Sequence, residues 1–193
     1  MELLAGFTQP IHQSQQAFRL ILKALGEPGV RVTLADVPGW GAIGPAATSV
    51  LLTLADGATP VWLSPALGEQ TVMDNLRFHT GAPVAERLDA AAFALFDTLP
   101  GAAQLAALSS GSETSPEFSA TAVVQVASLS EGAALYLSGP GIETRRRISP
   151  VLPAAVRNYL LNRPRRFPLG IDFLLVCGEG LMAVPRATHV EEC

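Results

Sequence analysis

The sequence predicts an α/β fold, a three-layer αβα sandwich with helices on both faces of a mixed sheet. Three observations carry that prediction. Short β-branched runs alternate with helical patterns through the first half of the chain, and two hairpin-like segments enter in the second half. Hydrophobic residues make up 49% of the 193 residues, against 16% charged. Strand–helix alternation favours parallel pairing, hairpins add antiparallel pairs, and this much apolar material fills a sizeable core. No repeat, long linker or composition shift divides the chain, so residues 1–193 read as a single domain.

In chain order, Phe18, Ile21, Leu22 and Leu25 stand at i, i+3, i+4 and i+7, which predicts a helix over 12–25 that buries those four. Gly26-Glu27-Pro28-Gly29 ends it, because proline disfavours helix at the residue before it. Residues 30–34 read as a strand, and a Pro/Gly-rich loop holding Trp40 runs to Pro45. Residues 46–55 mix helix formers with Thr48, Val50 and Thr53. The Asp56-Gly57 turn and a strand at 60–63 directly after them favour helix. A helix follows at 69–78, with Val72, Met73 and Leu76 on one face, ending before His79.

Further on come a strand at 93–96, a helix at 100–108 with proline at its start, and a small polar loop at 109–116. The β-branched run 121–129, the Ser130-Glu131-Gly132 turn and a return at 133–138 predict a hairpin closed by Gly139-Pro140-Gly141. A helix at 152–161 and a hairpin over 171–185, turning at Gly178-Glu179-Gly180, complete the chain.

Composition excludes whole classes of function. A formal net charge of −4 argues against a nucleic-acid partner. Few charged side chains leave apolar surface outside, the mark of a subunit within something larger, most simply a homodimer. The longest uncharged stretch, 37–55, is broken by Pro38, Gly39, Gly41, Gly44 and Pro45, so no membrane span is expected. Residues 1–10 carry Glu2 and no basic region, unlike a secretory leader. Cys177 and Cys193 form no C-x-x-C pair, which suits a cytoplasmic protein with reduced thiols.

Catalytic signatures are equally sparse. There is no P-loop, no G-x-S-x-G elbow and no G-x-G-x-x-G turn. Lys23 is the only lysine and sits on a helix surface, so no pyridoxal-phosphate Schiff base is expected. Two cysteines are too few for an iron–sulfur cluster. His189, Glu191, Glu192 and Cys193 cluster at a chain end expected to be mobile, so no metal site is assigned.

Arg77 and His79 near a helix end are one candidate pair, an anion fork beside a proton carrier; the ordinary alternative is a helix cap and a local ion pair. Asp172, Arg186 and His189 form a second candidate group. Two arginine runs, Arg145-Arg146-Arg147 and Arg163-Pro164-Arg165-Arg166, are the candidate anion-binding residues, with a solvated basic face as the alternative.

The ordered blocks carry a resemblance. Leu51-Leu52-Thr53-Leu54-Ala55-Asp56, Thr59-Pro60-Val61-Trp62-Leu63 and Leu76-Arg77-Phe78-His79-Thr80 resemble the PhnH family of the bacterial carbon–phosphorus lyase system. So do Phe167-Pro168-Leu169-Gly170-Ile171-Asp172, Cys177-Gly178-Glu179, Val184-Pro185-Arg186 and Thr188-His189-Val190-Glu191, together with Phe18-Arg19 and Glu27-Pro28-Gly29. The blocks span nearly the whole chain; the alanine-rich stretch 101–108 departs from them.

The resemblance implies a fold like the large domain of pyridoxal-phosphate-dependent transferases, without the cofactor. It also implies a homodimer that joins the sister subunits PhnG, PhnI and PhnJ in a core complex degrading organophosphonates. The step concerned displaces adenine from ATP with methylphosphonate, forming α-D-ribose 1-methylphosphonate 5-triphosphate. The radical cleavage belongs to PhnJ, and this chain is implied to be a non-radical subunit that does not catalyse alone. No catalytic residue follows from the resemblance. The alternative is an independent nucleotide- or phosphonate-binding enzyme that uses the arginine runs.

Overall fold

The computed structural model describes residues 2–97 and 100–193. Its helices are α1 (Pro10–Gly26), α2 (Pro45–Leu54), α3 (Gln70–Thr80), α4 (Ala102–Ala107) and α5 (Ala154–Leu161). Its strands are β1 (Arg31–Thr33), β2 (Val61–Leu63), β3 (Phe93–Phe96), β4 (Thr121–Gln125), β5 (Leu135–Ser138), β6 (Arg146–Ile148), β7 (Asp172–Cys177), β8 (Gly180–Val184) and β9 (His189–Glu192). None of the helices is long and apolar enough to cross a membrane.

The main sheet has the order β1-β8-β7-β4-β3-β2. β2, β3, β4 and β7 run parallel, while β8 and β1 add antiparallel pairs at one side, so the sheet is mixed as expected. Successive residues of a strand face opposite sides, and this splits the core in two. Leu95, Val123 and Leu174 pack under α1, α2 and α3, whereas Phe96, Val124 and Leu175 pack under α4 and α5. After α3 the chain runs along the outer edge of β2, where Val84 bridges Val61 in parallel, before it enters β3.

The hairpin at 171–185 is present, with Cys177 opposite Gly180. The hairpin predicted over 121–138 is not. β4 is a central strand, paired in parallel to β3 on one side and β7 on the other. β5 instead joins β6 and β9 in a separate three-stranded antiparallel sheet, order β6-β5-β9. The reason is burial. Ala122, Val123 and Val124 are fully covered on both faces, and such a strand reads locally like one arm of a hairpin. The small sheet lies in the same outer layer as α4 and α5, so that layer is part strand. The C-terminal residues, expected to be mobile, form its edge strand β9.

One helix face also differs from expectation. α1 buries Ala17, Ile21 and Ala24, while Phe18 and Leu22 are 49% and 56% exposed and Ile11, on the same outer face, is 79% exposed. Small residues let α1 close tightly on α2 and β8, and the bulkier stripe stays outside. α2 is buried continuously from Ala46 to Leu51, Thr48 and Ser49 included, which is why its sequence lacks amphipathic rhythm.

Candidate functional site

α3 extends through His79 to Thr80, two residues further than expected, and Gly81 ends it in the left-handed conformation at φ 72°. Arg77 and His79, two positions apart on this helix, point to different sides. Arg77 is exposed. The His79 ring stacks on Trp40 at 5.4 Å between centroids, and Phe78 meets its edge at 5.1 Å. Its Nε2 lies 2.9 Å from the Leu4 carbonyl, which requires the proton on that nitrogen. Gly6 runs so close beneath the ring that a Cβ there would sit 2.8 Å from it.

Neighbouring groups complete a strap over residues 2–7. Trp40 Nε1 donates to the Ala5 carbonyl at 2.8 Å. Asn75, fully buried, accepts from Leu4 N–H and donates to the Glu2 and Thr71 carbonyls, each at 2.8 Å. His79 is a structural anchor for the N-terminal segment. Arg77, exposed on the other side of the helix, does not converge with the His79 ring on one site.

The first arginine run does not converge either. β6 alternates its side chains, so Arg146 turns inward and donates to the Glu27 and Pro28 carbonyls at 3.0 and 2.6 Å. Arg145 pairs with Glu191 at 3.2 Å and lies over the Tyr136 ring. Arg147, opposite Tyr136 in the strand register, is exposed. Arg146 thus fastens the small sheet to the end of α1, and the three side chains make no single anion cradle. His189 is exposed on β9 beside Glu191, and Glu192 is taken by Arg157 at 2.7 Å. Neither touches Asp172. Among the described residues no group of three or more His, Cys, Asp or Glu side chains is placed to hold a metal. Lys23 is exposed on α1.

Convergence occurs around the end of α5. Because β7 and β8 are antiparallel, the first residue of β7 lies beside the chain leaving β8. Asp172 Oδ1 accepts the Arg186 backbone N–H at 2.7 Å, and its Oδ2 meets Arg186 Nη2 at 3.0 Å. Arg186 Nη1 also donates to the Pro116 carbonyl at 2.7 Å. With side chains only 20% and 18% exposed, this pair pins the 109–118 loop to the base of the hairpin, and its carboxylate is committed.

Arg163 donates to the Pro185 carbonyl at 2.9 Å, while its buried Nε has no hydrogen-bond partner. Burial lowers the Arg163 pKa below the ordinary guanidinium value, against the pull of Tyr159 and Asp172. Tyr159 packs on Phe173 at 5.3 Å. Burial raises its phenol pKa, with Arg163 opposing.

Between α4, the turn at 108–111 and residues 164–169 lies an open groove of about 460 Å³. Leu105, Leu108 and Leu169 form its apolar floor, and Ser110, Tyr159 and Arg165 supply polar groups. A shallower lobe of about 180 Å³ continues along α5 past Asn158 and Asn162. Of the sequence candidates, Asp172, Arg163, Arg165 and Arg186 thus belong to one region. Arg166 is exposed in the same loop, its carbonyl accepting the Leu169 N–H at 3.0 Å. Tyr159 and Ser110 were missed, because one reads as a helix aromatic and the other as one serine among several in a loop.

The Tyr159 environment has a measurable consequence. An acid whose folded pKa is raised stabilises the fold below the ordinary value, about 10 for tyrosine, and loses that contribution as pH rises through the folded value. Stability of the native chain is expected to fall more steeply above pH 10 than that of Tyr159→Phe. Parallel melting curves from pH 8 to 11 check this, and coincident slopes would refute it.

Comparison with known proteins gives a consistent result. The family described as "Bacterial phosphonate metabolism protein (PhnH)" matches residues 5–191. A Rhizobium meliloti (strain 1021) protein named "Alpha-D-ribose 1-methylphosphonate 5-triphosphate synthase subunit PhnH" is 36% identical over 192 residues, covering 96% of this chain and 94% of its own. A Stutzerimonas stutzeri protein named "Putative C-P lyase subunit protein HtxG" is 36% identical over 183 residues, covering 92% and 86%. The family match takes in the main sheet and the arginine-rich region alike, and the chain belongs to the PhnH family of bacterial phosphonate metabolism proteins.

Proposed function

We propose that this chain is a non-radical subunit of the bacterial carbon–phosphorus lyase system, acting in the step that forms α-D-ribose 1-methylphosphonate 5-triphosphate from ATP and methylphosphonate. In that step the phosphonate oxygen bonds to the ribose C1 and adenine leaves. The observation that carries the reading is the end-to-end match to a relative named as a subunit of that synthase. The outer face of α1, with Ile11, Phe18 and Leu22 exposed, supports a chain made to sit against other proteins. The sister subunits are proposed to be PhnG, PhnI and PhnJ, alongside a second copy of this chain, in the cytoplasm.

On this reading the chain carries no cofactor of its own. A mixed sheet between helical layers is compatible with the large domain of pyridoxal-phosphate-dependent transferases, and the proposal is that this chain is such a domain used as a scaffold. Its exposed Lys23 suits no Schiff base, which needs a desolvated or otherwise activated amine. Asp172 and Arg186 are proposed as structural rather than catalytic, since each is already paired to the other.

The test is genetic and physical together. Deleting the gene is expected to abolish growth on methylphosphonate as sole phosphorus source, and the wild-type chain to restore it. Native mass spectrometry of the tagged chain, expressed with the sister subunits, is expected to return a stoichiometric assembly. Growth without the chain, or recovery of the chain alone beside soluble partners, would overturn the proposal.

A further inference from the structure

We propose that the groove between α4, the 108–111 turn and residues 164–169 binds a small oxyanion carrying a short apolar group, with Arg165 as its charged contact. The assignment stands apart from the subunit reading, since it rests on charge and shape alone.

Charge comes first. Arg163, Arg165, Arg166 and Arg186 gather at this end of α5, in a protein whose formal net charge is −4. The one carboxylate paired there, Asp172, is held by Arg186. Arg163 is directed at the neutral Pro185 carbonyl, so its charge meets no carboxylate in a hydrogen bond. Glu113 and Glu117 on the neighbouring loop are exposed, and neither makes an ion pair with these arginines. Arg165 lines the groove with its guanidinium uncommitted among the described residues. The region therefore carries an excess of positive charge beside a low-dielectric floor, where attraction for an anion is stronger than in open water.

Shape narrows the ligand. A groove of about 460 Å³ falls within the range of about 300–1,000 Å³ typical of small-molecule sites. A bare inorganic ion would leave Leu105, Ala106, Leu108 and Leu169 uncovered. An oxyanion head on Arg165, with the Ser110 hydroxyl beside it, places a short alkyl tail on those side chains. Arginine's planar fork suits a two-oxygen grip on a phosphonate or carboxylate head.

Titrating the purified full-length chain with propylphosphonate, methylphosphonate, inorganic phosphate and butyrate, followed by amide NMR shifts, tests the assignment. Saturable shifts are expected at Ser110, Gly111 and Leu169, with affinity rising severalfold from phosphate to propylphosphonate. The butyrate arm tells a carboxylate head from a phosphonate one, and binding of either supports an oxyanion site. Arg165→Ala is expected to weaken binding at least tenfold, whereas Arg147→Ala, an exposed arginine on the small sheet, leaves it unchanged.

Three outcomes overturn the proposal: no saturable shift in this groove, an equal loss in both variants, or phosphate binding as tightly as propylphosphonate. Growth and assembly assays on Arg165→Ala separate the two readings. An absent ligand with growth still dependent on the chain removes the groove and leaves the subunit role standing.

Discussion

Replacing Trp40 with alanine is expected to lower the melting temperature by on the order of 10 °C, the larger of two effects that follow from the packing. Trp40 is fully buried, and truncating a buried tryptophan costs about 3–5 kcal/mol. In a domain of this size each kcal/mol moves the melting temperature by roughly 2–4 °C. The indole does two jobs at once: its ring stacks on His79, and its Nε1 donates to the Ala5 carbonyl. Loss of the ring therefore frees residues 2–7 as well as leaving a cavity. Trp40→Phe keeps most of the apolar volume and loses the hydrogen bond, so it is expected to recover most of the stability. A melting temperature for Trp40→Ala within 2 °C of the native chain would show that the strap bears no load.

Gly141→Ala is expected to cost about 3 kcal/mol or more and to loosen the small sheet from α1. Gly141 has φ 80°, a conformation that costs a residue with a side chain about 1–2 kcal/mol. Its added Cβ would also collide with the Gly26 carbonyl oxygen and lie 3.0 Å from Pro28 Cδ. Both obstacles belong to the turn leaving α1, and Arg146 grips the carbonyls of the same turn. Gly178→Ala supplies the control. Gly178 has φ 55° with nothing within 4 Å of an added Cβ, so that variant carries the dihedral cost alone. Chemical denaturation of both variants separates strain from collision. Equal destabilisation would mean that the close approach to Gly26 is easily relieved.

Much of the architecture was legible because it is written in local pattern. The β7–β8 hairpin is one such case: apolar strands flank Gly178-Glu179-Gly180, and the turn demands a positive φ that Gly178 supplies at 55°. α1 and α3 likewise stop where proline or glycine makes continuation costly. The family, too, was readable without coordinates, because ordered blocks of residues run along the chain and the match covers residues 5–191.

Function by residue was less legible. Arg145-Arg146-Arg147 looks like one basic group in sequence, yet strand alternation sends Arg146 to the α1 turn and Arg145 to Glu191. Sequence adjacency does not set direction in a strand; the period of two does. Arg77 and His79 look like neighbours in purpose, and the helical twist separates them. Conversely, Ser110 is distant in sequence from Tyr159 and Arg165 yet shares one groove with them.

By itself the sequence determined the α/β class, the mixed sheet, the helix ends and the family. These rest on backbone preference, on apolar spacing and on residue order, all of which are properties of short segments or of the chain as a string. Only the tertiary structure decided that β4 is central rather than an arm of a hairpin, that β5, β6 and β9 form a second sheet, and that His79 is an anchor. Each of those depends on which distant segment takes up a free edge or a buried polar group. The Leu4 carbonyl satisfies His79 across 75 positions of sequence, and β3 and β7 take both edges of β4. Long-range pairing of this kind follows from the need to satisfy and bury every edge at once, which no local window contains.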